Sequence, residues 1–174
     1  MAKLPDNETL RRFFREGLSD KEIAKAYDVS VQAVNQRFSK MGLERKPWMN
    51  TATAILNAAW PTTDGFKRSE FTHLNRAREL FAFMRWRLGD PTLTEKQMYM
   101  ARRFESQARE GVVLEFAPET KSRWVWVPRQ ESDGDLVLRW PAGRELPKGP
   151  HLAAITLPEV TESVAAREGE ATSQ

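Results

Sequence analysis

In the first 43 residues, apolar positions recur at helical spacing in three short runs. Leu10, Phe13 and Phe14 share one face of a stretch from about Asn7 to Glu16, and Gly17 ends it. Ser19-Asp20-Lys21-Glu22 reads as a capping box, with the hydroxyl and the Glu22 carboxylate satisfying backbone donors at a helix start. The predicted helix continues through Ile23, Ala24 and Tyr27, and Asp28-Val29 forms a turn. Ser30 then caps a third helix that runs to about Met41 and stops at Gly42.

Beyond a basic linker from Glu44 to Trp48, an Ala- and Leu-rich helix is expected from about Asn50 to Trp60, closed by Pro61. A turn at 62–65 precedes a long helix expected from Phe66 to Leu88, striped by Phe71, Leu74, Phe81, Met84 and Leu88. Gly89-Asp90-Pro91 breaks it, and Thr94 opens another helix to about Glu110, with Met100, Phe104 and Ala108 on one face. The period then drops to two. Val112–Phe116, Arg123–Arg129 and Leu136–Trp140 read as strands, the last two joined by an Asp133-Gly134 hairpin turn, with His151–Leu157 as an edge strand. The pattern predicts a mainly α protein with a small antiparallel β-sheet, an α+β chain. Residues 1–46 would form a trihelical helix-turn-helix domain, 47–61 a linker and short helix, and 62–158 a C-terminal α+β domain. Residues 159–174 would be a disordered acidic tail.

Composition narrows the function classes. Of 174 residues, 40% are apolar and 29% charged, the balance of a folded domain. No apolar run approaches the roughly 20 residues of a membrane span, and the N-terminus lacks a signal-peptide core, so a cytoplasmic location is expected. With no cysteine, disulfides, thiolate nucleophiles and Cys-ligated zinc are excluded. His73 and His151 each stand alone, without metal-ligand spacing, and no Gly-rich phosphate loop occurs. Neither catalysis, nor a cofactor, nor a metal is expected. The formal net charge of +3 hides an uneven distribution: Met1–Trp48 and Pro61–Gly111 each carry +3, Val112–Pro158 none, and Glu159–Gln174 −3. The two basic segments suit a polyanionic partner.

The first of them has the pattern of a DNA reader. Ala24 is small where two helices would cross, Ile23 precedes it, Val29 closes the turn, and Val34 and Phe38 anchor the second helix at i, i+4. The helical period then directs Val31, Gln32, Asn35, Gln36, Ser39 and Lys40 outward, with Arg37 on the flank. Gln and Asn can bond adenine edges in bidentate fashion, Arg can do the same with guanine, and Val can meet a thymine methyl. No acidic residue interrupts Val31–Leu43. Base reading is therefore assigned to Val31, Gln32, Asn35, Gln36, Arg37 and Lys40. Ser19, Lys21, Ser30, Ser39, Arg45 and Lys46 are assigned to phosphates.

A lone trihelical unit buries little DNA. The second basic segment therefore marks Lys67, Arg68, Arg76, Arg78, Arg85 and Arg102 as a further DNA-contacting set. Arg78 and Arg85, like Arg102 and Arg109, are seven residues apart and share a face. Solvated arginine faces on packed helices are the competing reading. The tryptophans at 124, 126 and 140 suit a core better than base stacking. No leucine heptad long enough for a coiled-coil dimer appears.

The run Ile23-Ala24-Lys-Ala-Tyr27-Asp-Val29-Ser30, together with the helix Arg76-Ala-Arg-Glu-Leu80-Phe-Ala-Phe-Met-Arg-Trp86-Arg-Leu88, resembles the immunity repressors of temperate actinobacteriophages, the mycobacteriophage stoperator-binding family. The resemblance implies a repressor of lysogeny that binds short asymmetric operator and stoperator sites on double-stranded DNA as a monomer. It also implies a major-groove helix over Val31–Lys40 and a second domain that touches DNA beside it. Two other classes fit the same residues. One is a non-catalytic packaging or recombination accessory protein, small-terminase-like. The other is a dimeric regulator with a protein-interaction C-terminal domain.

Overall fold

Asp6 begins the first helix by lending its carboxylate to the backbone N–H groups of Glu8 and Thr9, at 2.9 and 3.0 Å. The Thr9 hydroxyl, 2.7 Å away, does most to hold this carboxyl below its ordinary pKa. The structure, a computed structural model, describes residues 3–160. It is mainly helical with a two-stranded antiparallel sheet, and it divides into two compact units, Met1–Pro47 and Trp48–Gln174.

The first unit holds α1 (Asn7–Arg15), α2 (Asp20–Tyr27) and α3 (Val31–Lys40). The expected capping box opens α2: the Ser19 Oγ accepts from the Glu22 N–H, and the Glu22 carboxylate accepts from the Ser19 N–H at 2.8 Å. That backbone bond is the main reason the Glu22 carboxyl sits below its usual range. Asp28 stops α2 in the left-handed region, at φ 51°, a conformation Asp tolerates better than most residues. Ser30 caps α3 through the Ala33 N–H. Past α3, Gly42 takes φ 69° and Leu43 N–H returns to Phe38 O at 2.9 Å, closing the last turn.

Leu10, Ile23, Ala24, Val34 and Phe38 form the buried core of this unit, edged by Phe13, Phe14, Tyr27 and Val29. Each fully buried large side chain contributes about 1.5–3 kcal/mol. With so few, the unit leans on its caps and on Arg45. The Arg45 guanidinium lies 4.8 Å over Phe14 and 5.0 Å over Phe38, and its Nε donates to Asp20 Oδ1 at 2.8 Å. The chain leaving α3 is thereby tied back to the start of α2.

In the second unit, the short helix expected from about Asn50 to Trp60 is present as α4 (Pro47–Ala59), which starts three residues earlier, inside the expected linker. Proline at its first position loses no hydrogen bond. Ala52, Ile55, Leu56 and Ala59 are buried at i, i+3, i+4 and i+7 and, with Trp60, enter the core. The segment is a core element because its alanines let the backbone approach closely.

The single helix expected over 66–88 is two helices, α5 (Ser69–Thr72) and α6 (Asn75–Arg87), separated by extended backbone at Leu74. The break lets Phe71 turn into an aromatic cluster, 5.5 Å from Trp60, 5.0 Å from Phe116 and 5.8 Å from Trp124. The Trp124 indole N–H also takes the carbonyl of Glu70, at 2.8 Å. Ala77, Leu80, Phe83 and Met84 are buried on α6, which packs with α7 (Glu95–Ala108). A Thr94–Gln97 capping box starts α7, which buries Ala101, Phe104 and Ala108.

β1 (Val112–Phe116) and β2 (Trp124–Pro128) pair antiparallel, from Val112 opposite Pro128 to Phe116 opposite Trp124. The expected third strand is not a strand. Glu131–Asp133 makes a 3-10 turn, and Leu138 forms a single parallel bridge to Leu114 instead of closing an Asp133-Gly134 hairpin. Leu136, Val137 and Leu138 are all buried, so the chain threads into the core where an exposed hairpin would have shown one face to solvent. The expected edge strand at 151–157 is α8 (Pro150–Ala153) followed by one bridge, Thr156 to Leu136; Pro150 favours a helical first turn there. The acidic tail lies, beyond Val160, outside the described residues.

Candidate nucleic-acid interface

α3 turns one side to its unit and the other to solvent. Val34 and Phe38 are buried, while Val31, Gln32, Asn35, Gln36, Ser39 and Lys40 are exposed. Val31 is 44% exposed at the very start of the helix, an apolar side chain held out in water. Arg37 is half-buried on the flank, where its Nη1 donates to Asn7 Oδ1 at 2.9 Å. α1 thus fixes the one guanidinium on this face while leaving its other N–H groups to a partner. The first turn of α3 has no acidic residue, so the partial positive charge of the helix N-terminus is not offset there. The Ser30 oxygen accepts the Ala33 N–H and keeps its own proton to donate.

The side chains expected on phosphates divide. Lys21, Ser39 and Lys46 are exposed. Ser19 is not available in the same way: its hydroxyl donates to Glu22 Oε2 at 2.8 Å, and that carboxylate stands at the helix start where a phosphate would need to come. Arg45 is likewise spent on Asp20, Phe14 and Phe38. The expected phosphate contact is therefore corrected: the fold uses Arg45 as a tie.

The second unit divides its cations too. Arg85 is 7% exposed, and its Nε lies 2.6 Å from Asp90 Oδ2. Burial works against the ionised form of Asp90, yet hydrogen bonds from the Thr92 hydroxyl and N–H and from Arg85 outweigh it, and the carboxyl stays below its ordinary pKa. Arg85 is therefore a buried ion-pair partner and does not reach a DNA surface. It shares the Arg78 face only in the straight-helix sense, because that side of α6 is covered at its far end. Arg76 donates to the Trp124 carbonyl at 2.6 Å and Arg68 to Asn57. Arg109 bonds Glu105 and the Pro158 carbonyl. Arg102 is half-buried and not free. Lys67 and Arg78 are exposed. Trp124 is fully buried, and Trp140 packs 6.5 Å from Trp60 in the same cluster.

Charge spacing also misses a feature of α7. Lys96, Tyr99 and Arg103, at i, i+3 and i+7, line a groove with Arg76 and Arg78 of α6. Reading α7 by the seven-residue Arg102–Arg109 repeat passes over them; a scan for exposed aromatics among cations would have found them.

Among the described residues no three His, Asp or Glu side chains converge to hold a metal ion, and no helix is long and apolar enough to cross a membrane. No protein-family model matches the chain, and no curated protein does.

Proposed function

We propose that this chain is a sequence-specific, double-stranded-DNA-binding regulator and not an enzyme, with α2 and α3 acting as a helix-turn-helix whose second helix enters the major groove. Within that class, we read it as a phage immunity repressor. On this reading it acts as a monomer on short asymmetric operator and stoperator sites in the bacterial cytoplasm, with the second unit adding contacts beside the recognition helix.

The observation that carries the reading is the exposed, acid-free face of α3: Val31, Gln32, Asn35, Gln36, Ser39 and Lys40 all project to solvent from a helix pinned by Val34 and Phe38. A merely solvated helix of this length would mix Glu with Lys. Here three of the polar groups, Gln32, Asn35 and Gln36, are amides, which pair with base edges. The uncompensated N-terminus and the Ser30 hydroxyl supply phosphate contacts that set the register. On the second unit, Lys67 and Arg78 are the members of the expected set still presented to a phosphate.

The test is a selection from random duplexes with the full chain, followed by a footprint and the mass of the complex. A short asymmetric footprint with one chain is expected. A palindromic footprint with two chains would remove the monomeric repressor reading, and no preference over random duplex would remove sequence-specific recognition.

A further inference from the structure

A groove of about 580 Å³ opens between α6 and α7. Four cations line it, Arg76, Arg78, Lys96 and Arg103, against one carboxylate, Glu79. Two aromatic rings line it as well. Tyr99 is 63% exposed and Trp126 is half-buried. Among the described residues, the side chains of Arg78, Lys96 and Tyr99 make no hydrogen bond or ion pair. Arg76 is anchored by one nitrogen to the Trp124 carbonyl, which leaves the rest of its guanidinium oriented and unspent. Arg103 approaches Glu79 at only 3.9 Å, a loose pairing at a largely exposed guanidinium. The first turn of α6, which borders the groove at Asn75 and Arg76, has neither an acidic residue nor a side-chain cap. Its leading N–H groups add to the positive field.

We infer that this groove binds single-stranded polynucleotide, with Tyr99 as a stacking platform and Arg76, Arg78 and Lys96 holding successive phosphates. On α7 the groove's cations, Lys96 and Arg103, are seven residues apart, about 10 Å of helix, and Arg76 and Arg78 line the groove from α6, so the cations are spread along it and not gathered at a point. A row of cations with an exposed ring beside it is the arrangement that binds strands without reading sequence, because every base has a face to stack. A duplex would leave the ring unused, since its base faces are already stacked inside the helix. An acidic peptide would satisfy the cations but would give Tyr99 no flat partner. The inference does not rest on the α3 reading, which concerns base edges of a duplex and a different unit of the chain.

The test uses the full chain and a fluorescein-labelled dT10 followed by anisotropy, with U10 as a second arm and deca-glutamate as a competitor. Both oligonucleotides share the stacking and phosphate chemistry, and a preference between them names the natural source. Tyr99→Ala is expected to weaken dT10 binding between about five- and 150-fold, the range for loss of one stacked base. Tyr99→Phe should bind like the parent, and Arg78→Gln and Lys96→Gln should each flatten the salt dependence by about 0.7 in log–log slope. Tyr99 is exposed, so the Ala variant keeps the fold, and its tryptophan-monitored melting should match the parent's. Unchanged dT10 affinity in Tyr99→Ala, or deca-glutamate displacing dT10 as well as unlabelled dT10 does, would overturn the inference. Because the readout is dT10, a failure of the chain to select any duplex leaves this result standing, and the reverse holds equally.

Discussion

Replacing Arg85 with Ala separates a structural arginine from a nucleic-acid contact. In the protein its guanidinium is nearly enclosed, and the Asp90 side chain it pairs with is wholly so. Removing the cation leaves a buried carboxylate whose Oδ2 has lost its 2.6 Å partner, while Oδ1 keeps the Thr92 N–H and hydroxyl at 2.8 and 2.7 Å. Breaking a buried pair costs about 3–5 kcal/mol, and the surviving Thr92 bonds place this case near 3. A loss of that size lowers the Tm of a unit this large by roughly 10–15 °C. The assay is built into the sequence. All six tryptophans, at 48, 60, 86, 124, 126 and 140, follow Pro47, so tryptophan fluorescence reports the second unit alone. The sign of the pH dependence follows from Asp90, whose folded pKa is depressed. The pair's contribution is complete above the ordinary carboxylate pKa of the unfolded chain, about 3.9, and fades as pH falls through the lower folded value. Parent and variant should therefore differ most near neutrality and converge in acid. A Tm shift under about 2 °C, far below what a lost buried pair produces, accompanied by a loss of duplex affinity, would put Arg85 back on a DNA surface and refute the burial argument.

Two more outcomes follow from the same structure. Gln36→Ala, on the exposed face of α3, should cost about 1–3 kcal/mol of specific duplex affinity with no change in melting, and an unaltered gel shift on the selected site would count against the recognition-helix assignment. Asp133 is held below its ordinary pKa chiefly by the Arg139 hydrogen bonds, at 3.0 and 2.7 Å, and burial opposes this without reversing it. Arg139 is correspondingly pushed up by Asp133 and then by Glu115. The pair's contribution is complete above the unfolded carboxylate's pKa, about 3.9, and fades as pH falls through the lower folded value, so in tryptophan-monitored melting Asp133→Asn should be less stable than the parent near neutrality and converge with it in acid.

The helices and caps of the first unit were legible because their information is local, whereas the ties made by Ser19 and Arg45 were not. Ser19 with Glu22, Ser30, Asp28 and Gly42 act within four residues of themselves, and one repeat of Ile23, Ala24, Val34 and Phe38 defines the inner face. The second unit is governed by distant partners. Nothing near Leu74 announces a helix break; Phe71 leaves the stripe because Trp60, Phe116 and Trp124 surround it, and Trp124 is 53 residues away in sequence. Alternation at 136–140 looked like a strand, but Leu136, Val137 and Leu138 are buried on both sides, which period-two reasoning cannot express. The Ala- and Leu-rich composition of α4 announces a helix, but its place in the core depends on partners elsewhere in the second unit.

The arginines show why charge counting locates an interface poorly. Between Pro61 and Gly111 the basic excess is the same as in the first 48 residues. In the second unit, however, Arg85 answers Asp90, Arg109 answers Glu105 and Pro158, Arg129 donates to the carbonyls of Gly134, Leu136 and Val112, and Arg139 answers Asp133 and Glu115. A sheet of two strands leaves many backbone carbonyls unpaired, and a guanidinium with five donors satisfies several at once. Arginine is thus the residue that an irregular, sheet-poor core selects, whether or not a polyanion is ever bound. What distinguishes a ligand-facing cation is the absence of such a partner together with a surface that can hold something beside it. Among the described residues Arg78 and Lys96 meet that condition, flanking an exposed tyrosine, whereas most of the positive charge that first suggested a second DNA-contacting domain is already engaged in folding it.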